Sequence, residues 1–123
     1  LAEIRGIERN RYLRCGRCGA EWLSRVLLCA YCGNTDHDHL ATLVPEGPDS
    51  NGSIEACRRC RTYLKVFTRL QGSRPADVML QDLASVDFDV AALEQGYGRP
   101  VHPGRGIVVT VATTAPHVLP WNL

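Results

Sequence analysis

The sequence predicts a small α+β fold in which β-hairpins with cysteine-bearing turns precede a helical segment. The 123-residue chain has six cysteines, arranged as three Cys-x-x-Cys pairs: Cys15/Cys18, Cys29/Cys32 and Cys57/Cys60. The segments beside these pairs read as short strands bounded by turn residues. After residue 74, apolar residues recur at helical spacing instead. Cys-x-x-Cys turns at the ends of β-hairpins are typical of zinc ribbons and rubredoxin-like sites.

Length and charge exclude several classes of protein. A chain of 123 residues is too short for a large enzyme with a deep core, and it has no apolar run long enough to cross a membrane. The net charge is only +1, so the overall balance does not call for nucleic acid as a partner. Residues 1–74 carry a surplus of four positive charges and residues 75–123 a surplus of three negative charges. The chain begins with Leu1 and has no signal segment, and we interpret it as the later part of a longer protein.

Strand and turn signals follow one another up to residue 70. Residues 20–28 alternate and contain no Gly, Pro, Asn or Asp, which predicts one uninterrupted strand. Residues 45–53 form a dense turn cluster. The other predicted strands are 11–14, 39–44, 54–56 and 62–70.

A helical segment is predicted over residues 75–97. Pro75 suits a first helical position, and Gly96 suits the residue after a helix end. An apolar stripe recurs at steps of four, three, four and three, and it either builds a core or faces a partner. A kink near residues 85–87 would divide the segment into two helices. The stripe consists of Met79, Leu83, Val86, Val90 and Leu93.

The spacing of the cysteine pairs indicates which two share a metal. Ten residues separate Cys18 from Cys29, and the predicted strand 20–28 would hold the two pairs about 36 Å apart. The longer interval between Cys32 and Cys57 holds two strands and the turn cluster, so a hairpin brings those pairs together. We therefore favour one tetrahedral site made of Cys29, Cys32, Cys57 and Cys60. Cys15 and Cys18 then form a half site, whose other two ligands lie upstream or in another molecule.

Chemistry beyond metal binding is weakly indicated. Four thiolates suit iron or zinc, and a structural metal is favoured over a redox one. Disulfides are disfavoured, because three Cys-x-x-Cys disulfides would each close a very short loop.

No catalytic constellation stands out, which predicts a protein that is not an enzyme. Arg58, Arg59 and Arg61 flank the third pair and are candidate contacts to an acidic partner.

Several motifs together resemble a known family. They are the stretches 11–18 with Glu21-Trp22, Cys29-Ala-Tyr-Cys-Gly-Asn and Glu55-Ala-Cys-Arg-Arg-Cys-Arg-Thr-Tyr-Leu-Lys, followed by Asp82-Leu-Ala-Ser and Glu94-Gln-Gly-Tyr. In this order they resemble the C-terminal part of the formate dehydrogenase accessory protein, the FdhE family. The similarity covers about residues 10 to 99, and residues 101–123 match nothing in the family pattern.

The resemblance implies two rubredoxin-like ribbons that bind iron or zinc. Residues 1–28 would be the remnant of the first ribbon and 29–70 the complete second ribbon, followed by the helical segment 75–97 and an irregular tail, 98–123. It also implies a cytoplasmic accessory factor that contacts the catalytic subunit of formate dehydrogenase and acts in its maturation. The alternatives are a nucleic-acid-binding zinc ribbon, favoured by the basic first part of the chain, and a rubredoxin-like redox protein.

Overall fold

The computed structural model of the chain describes residues 1–46 and 52–99. The strands are β1 (Ala2–Arg5), β2 (Asn10–Arg14), β3 (Glu21–Ser24), β4 (Leu40–Leu43), β5 (Gly52–Cys57) and β6 (Thr62–Arg69). A 3₁₀ turn at His37–His39 precedes β4, and two helices follow β6: α1 (Pro75–Ala84) and α2 (Val86–Glu94). The described residues therefore confirm the predicted small α+β class. The residues at 47–51, within the predicted turn cluster, and the tail from residue 100 lie outside this description.

All six strands belong to one sheet, in the order β3-β2-β1-β6-β5-β4. Neighbouring strands are antiparallel except β1 and β6, which run parallel with Ala2 opposite Val66. β1 was not predicted. It joins the two cysteine-bearing parts of the chain edge to edge, so one sheet runs through both predicted ribbons.

The prediction of one strand over residues 20–28 is wrong. β3 ends at Ser24, and Leu27 adopts a left-handed backbone with φ of +59°. Arg11 lies where the strand ends, and its Nη1 donates to Ser24 Oγ at 3.0 Å and to the Arg25 carbonyl at 2.8 Å. The chain then bends towards the second cysteine pair without any of the usual turn residues.

The helical segment begins at the predicted Pro75 and has the predicted break, but α2 ends at Glu94, before the predicted limit of residue 97. Pro75 lies at the start of α1, and Ser85 separates α1 from α2. Gly96 has φ of +88°, and the amide of Tyr97 donates to the Ala92 carbonyl at 3.0 Å. This pattern is a Schellman helix end, for which glycine is the preferred residue.

The two helices cover one face of the sheet. Phe88 of α2 stacks on Phe67 of β6, with ring centroids 5.7 Å apart. The core on this face also contains Ile54, Ala56, Tyr63, Ala92 and Tyr97, and a smaller apolar cluster of Ala2, Ile4 and Val66 completes the interior. The predicted apolar stripe takes no part in this core, because all five of its side chains are exposed. No helix in the described part of the chain has the length and apolar character that a membrane span requires.

Candidate metal centre

The three Cys-x-x-Cys turns have the same backbone form. In each, an amide four residues after the first cysteine donates back to that cysteine's carbonyl: Gly19 to Cys15 at 2.9 Å, Gly33 to Cys29 at 3.0 Å and Arg61 to Cys57 at 2.8 Å. The donor residue is left-handed each time, with φ of +73°, +76° and +62°. Two of the three are glycines, which adopt this conformation without the steric cost that a Cβ brings. We call these turns the first, second and third knuckle.

The second and third knuckles bring their four sulfurs together. The ligand atoms of Cys29, Cys32, Cys57 and Cys60 all lie within 4.8 Å of one another. Cys29 Sγ is 3.6 Å from Cys60 Sγ, and Cys32 Sγ is 3.7 Å from Cys57 Sγ. Sulfurs bound tetrahedrally at about 2.3 Å from one ion are separated by about 3.8 Å. The arrangement therefore has the dimensions of a four-thiolate metal site.

The sulfur distances also decide against disulfides. A disulfide needs sulfurs about 2.05 Å apart, and all six cysteines are free thiols. Four thiolates in tetrahedral array suit zinc or iron, and they suit calcium or magnesium poorly because those ions prefer oxygen ligands. The four cysteines could thus hold one soft or borderline divalent ion.

The protein stabilises the sulfurs of the two knuckles unevenly. Burial acts to raise the pKa of Cys57, but amides of Cys60 and Arg59 and the side chain of Asn34 outweigh it and lower that pKa to about 6. Desolvation, reinforced by the neighbouring thiols, instead raises the pKa of Cys32 to about 12. Four negative sulfurs this close repel one another, so the fully ionised set needs a cation among them.

Residues beside the cysteines supply further hydrogen bonds. Asn34 Nδ2 donates to Cys57 Sγ at 3.7 Å, and the Thr62 hydroxyl lies 2.8 Å from Cys60 Sγ. Such contacts orient metal ligands and tune their charge. Sequence reasoning missed both residues, although each stands two positions after a cysteine of a knuckle.

Buried arginines on β2 position the chain around the knuckles. Arg11 is almost fully buried and pairs with Glu55 of β5 at 2.6 Å, so it ties the bend before Cys29 to the strand that leads into Cys57. Arg14 donates from two nitrogens to the carbonyl of Gly19, at 3.1 and 2.8 Å, and thereby holds the first knuckle. Neither role has a local sequence signal, because each partner is distant in the chain or is a backbone oxygen.

The first knuckle stands apart from the four-sulfur cluster. Cys18 is exposed, and Cys15 is partly exposed with its pKa lowered by amides of Cys18 and Arg17. Among residues 1–46 and 52–99, no group of three or more metal-ligating side chains includes either cysteine. The knuckle thus has the backbone turn of the others without a facing cysteine pair in the described chain.

The arginines around the third knuckle differ in their surroundings. Arg58 and Arg59 are exposed beside the cysteine pair. Arg61 lies over the ring of Tyr97, with its guanidinium carbon 4.7 Å from the centroid, and its carbonyl accepts from the amide of Gly98. Arg61 therefore fastens the end of the helical segment to the knuckle.

Comparison with known proteins identifies the family. The model of the FdhE C-terminal domain matches residues 27–102, which is more than half of the chain. The chain belongs to the FdhE family. FdhE homologues from Aquifex aeolicus and Pseudomonas aeruginosa are 36% and 35% identical to it, over 73% and 72% of this chain. Protein FdhE of Escherichia coli is 31% identical over 86% of this chain.

The fold also matches a solved member of the FdhE family. The crystal structure of the FdhE protein from Pseudomonas aeruginosa aligns with a TM-score of 0.66 and 34% identity, and it covers 84% of this chain. That alignment spans 36% of the crystallised chain, and the sequence matches span 31%, 29% and 35% of the three relatives. The chain thus corresponds to about a third of each relative.

Proposed function

We propose that this chain is the metal-binding part of a formate dehydrogenase accessory factor, acting in assembly or maturation and not as an enzyme. The observation that carries the proposal is the convergence of the four sulfurs of Cys29, Cys32, Cys57 and Cys60 in a member of the FdhE family. Iron or zinc bound there would hold the second and third knuckles together and shape the surface around them. The partner under this proposal is the catalytic subunit of formate dehydrogenase, which the factor would bind in the cytoplasm.

The exposed arginines of the third knuckle are the proposed contacts to that partner. Arg58 and Arg59 project beside the metal centre, whereas Arg61 is engaged with Tyr97 and contributes mainly to holding the surface in shape. Two neighbouring positive charges at an exposed turn favour an acidic patch on the partner, and they chiefly raise the rate of association.

The first knuckle is proposed as half of a second four-thiolate site. Its turn geometry equals that of the other two knuckles, and backbone amides already lower the pKa of Cys15. Two further ligands would come from residues outside the described chain or from another molecule.

Metal content tests the assignment of the two cysteine sets. We expect one tightly held ion per chain, lost on Cys29→Ser and largely retained on Cys15→Ser, because only Cys29 belongs to a complete set. Elemental analysis of the purified variants measures this and also distinguishes iron from zinc. Equal loss of metal from the two variants would contradict the pairing.

A co-purification experiment tests the client. The tagged chain is expected to retain the catalytic subunit of formate dehydrogenase, and Cys57→Ser is expected to retain less of it. Arg58→Gln with Arg59→Gln should weaken retention, while Arg9→Gln, at an exposed arginine between β1 and β2, should leave it unchanged. If neither the wild-type chain nor Cys57→Ser binds the subunit, the proposed function is wrong.

A further inference from the structure

An exposed apolar ridge runs along the outer face of α1 and α2. Its five side chains are the predicted stripe, Met79, Leu83, Val86, Val90 and Leu93, and their exposed fractions range from 44% to 64%. Met79 and Leu83 share one face of α1, and Val86, Val90 and Leu93 share one face of α2, in each helix away from the residues that are buried against the sheet. Clustered exposed apolar side chains of this kind mark a site of interaction.

The fold does not need this ridge for its own core. α1 already buries Val78, and α2 already buries Phe88 and Ala92 against the sheet. Ser85, at the junction of the helices, is buried, and its hydroxyl donates to the Gln81 carbonyl at 2.7 Å. Within residues 1–46 and 52–99, the ridge is therefore an ordered surface that the core does not use.

The charges around the ridge indicate the chemistry of its occupant. Residues 75–94 include five acidic residues and no Lys or Arg. Asp82 and Asp89 are engaged with Lys65, but Asp87 and Glu94 are exposed and make no ion pair with any described residue. A second copy of the chain docked ridge to ridge would bring these acidic groups together, and an anionic lipid surface would be repelled by them. A partner with basic side chains would instead be attracted by the carboxylates of Asp87 and Glu94.

We propose that the ridge binds a basic amphipathic helix of a partner protein. The apolar side chains of such a helix would lie along Leu83, Val86 and Val90, with Lys or Arg at its margins facing Asp87 and Glu94. An amphipathic helix seated on an apolar surface is a recurrent recognition mode, with anchors spaced by three or four residues. This site lies on the helices and does not depend on the metal or on the client proposed above.

Two synthetic helices test the proposal against the full chain. One is a capped Leu/Lys amphipathic peptide of about 18 residues, long enough to form an isolated helix, and the other carries Glu at every Lys position. Fluorescence anisotropy measures both. We expect the Leu/Lys peptide to bind at least about tenfold more tightly than the Leu/Glu peptide. Added salt should weaken its binding, because exposed charges are screened.

Variants of the chain locate the binding. Leu83→Gln with Val90→Gln should lower the affinity for the Leu/Lys peptide about tenfold or more. The fold should persist because both side chains are exposed. Ile7→Gln is the matched control, because Ile7 is fully exposed in the turn between β1 and β2. This substitution should leave binding of the peptide unchanged. Asp87→Asn with Glu94→Gln should reduce the preference for the Leu/Lys peptide.

Several outcomes would overturn the proposal. Equal binding of the two peptides would remove the role of charge, and unchanged binding to Leu83→Gln with Val90→Gln would place the contact elsewhere. A wild-type dimer in sedimentation that this double variant dissociates would assign the ridge to a second copy. Capture of the chain by anionic vesicles through the ridge would assign it to lipid. None of these results tests binding to the catalytic subunit of formate dehydrogenase, because neither peptide is taken from that subunit.

Discussion

Glu3 shows how one buried carboxylate organises the first part of the sheet. Its Oε1 accepts from Arg14 at 2.6 Å and from Arg5 at 2.8 Å, and its Oε2 accepts from the amide and hydroxyl of Ser73 at 3.2 and 2.6 Å. The burial of Glu3 works to raise its pKa, but hydrogen bonds from Ser73, Arg5 and Arg14 outweigh that effect and lower the pKa from 4.5 to about 2. β1 is thereby tied to β2 and to the loop that leads into α1.

Acid should therefore destabilise the protein through Glu3. Because its folded pKa is the lower one, the stabilisation is complete above the unfolded value of 4.5 and is lost as pH falls from there through 2. The loss should be on the order of 3 kcal/mol, measured by urea unfolding at several pH values. Glu3→Gln should lose less free energy of unfolding over that range. Glu8→Gln, in the exposed β1–β2 turn, is the control and should follow the wild type; an identical acid response in all three would contradict the role of Glu3.

The two knuckle glycines separate backbone strain from steric contact. Both are left-handed, but a Cβ at Gly33 would have no heavy atom within 4 Å, whereas one at Gly19 would lie 2.5 Å from Pro75 Cα. Gly33→Ala should therefore lower the free energy of unfolding by about 1 kcal/mol, the cost of the left-handed conformation alone. Gly19→Ala should lower the free energy of unfolding by at least about 1 kcal/mol more than Gly33→Ala does, because α1 must shift to make room for the Cβ. Denaturant unfolding of the metal-loaded variants measures both, and equal losses would refute the steric contribution.

At the scale of elements, Lys65 connects β6 to both helices. It is buried, and its ammonium donates to the Asp82 carbonyl at 2.9 Å while pairing with the Asp82 carboxylate at 2.6 Å and Asp89 at 2.9 Å. Tyr63 also donates to Asp89, which adds a second strand-to-helix bond beside the first. Asp82 and Asp89 thus meet the buried Lys65, and the more exposed Arg99 also pairs with them, at 3.8 and 3.2 Å.

Removing that cation should loosen the helices from the sheet. Lys65→Met should lower the free energy of unfolding by about 2 kcal/mol, because it leaves two partly buried carboxylates with only the exposed Arg99 as a described cationic partner. Arg74→Met is the matched control. The Arg74–Asp77 pair is exposed, with an N–O distance of 2.8 Å, and its loss should cost no more than about 0.5 kcal/mol. Similar effects of the two substitutions in urea unfolding would show that the Lys65 cluster contributes little.

At the scale of the whole molecule, the proposed ion would join two segments that are distant in the sequence. The second knuckle meets the third through the four sulfurs and through the hydrogen bond from Asn34 Nδ2 to Cys57 Sγ. The first knuckle is held by Arg14 and by its place directly after β2. The two knuckles should therefore respond differently when metal is withdrawn.

Chelation should lower the thermal midpoint and increase amide exchange locally. The amide of Cys29, which donates to the Asn34 carbonyl at 2.9 Å, should lose protection when metal is removed. The amide of Cys15, which donates to the Ala20 carbonyl at 2.9 Å, should keep most of its protection and serves as the internal reference. Hydrogen exchange with and without chelator measures both, and equal changes at the two amides would contradict a metal that is held by the second and third knuckles and not by the first.

The parts of this protein that the sequence predicted correctly rest on local chemistry. The helix limits at Pro75 and Gly96 and the break near Ser85 follow from backbone preferences of single residues. The convergence of the second and third knuckles followed from the strands and turn residues between Cys32 and Cys57. The argument from an uninterrupted strand over residues 20–28 failed, because β3 ends at Ser24 and the next carbonyl, that of Arg25, accepts from the buried Arg11 of β2.

Only the tertiary structure decided how these parts join and which helical face is buried. β1 is a strand because β2 and β6 pair with it, and β6 lies some sixty residues away in the chain. Both faces of α2 offer apolar side chains. Phe88 can stack on Phe67 while Asp89 reaches Lys65, so the face that satisfies both the apolar packing and the buried charge lies inward. Periodicity identifies an apolar stripe, but the fit against the sheet determines that this one lies outside.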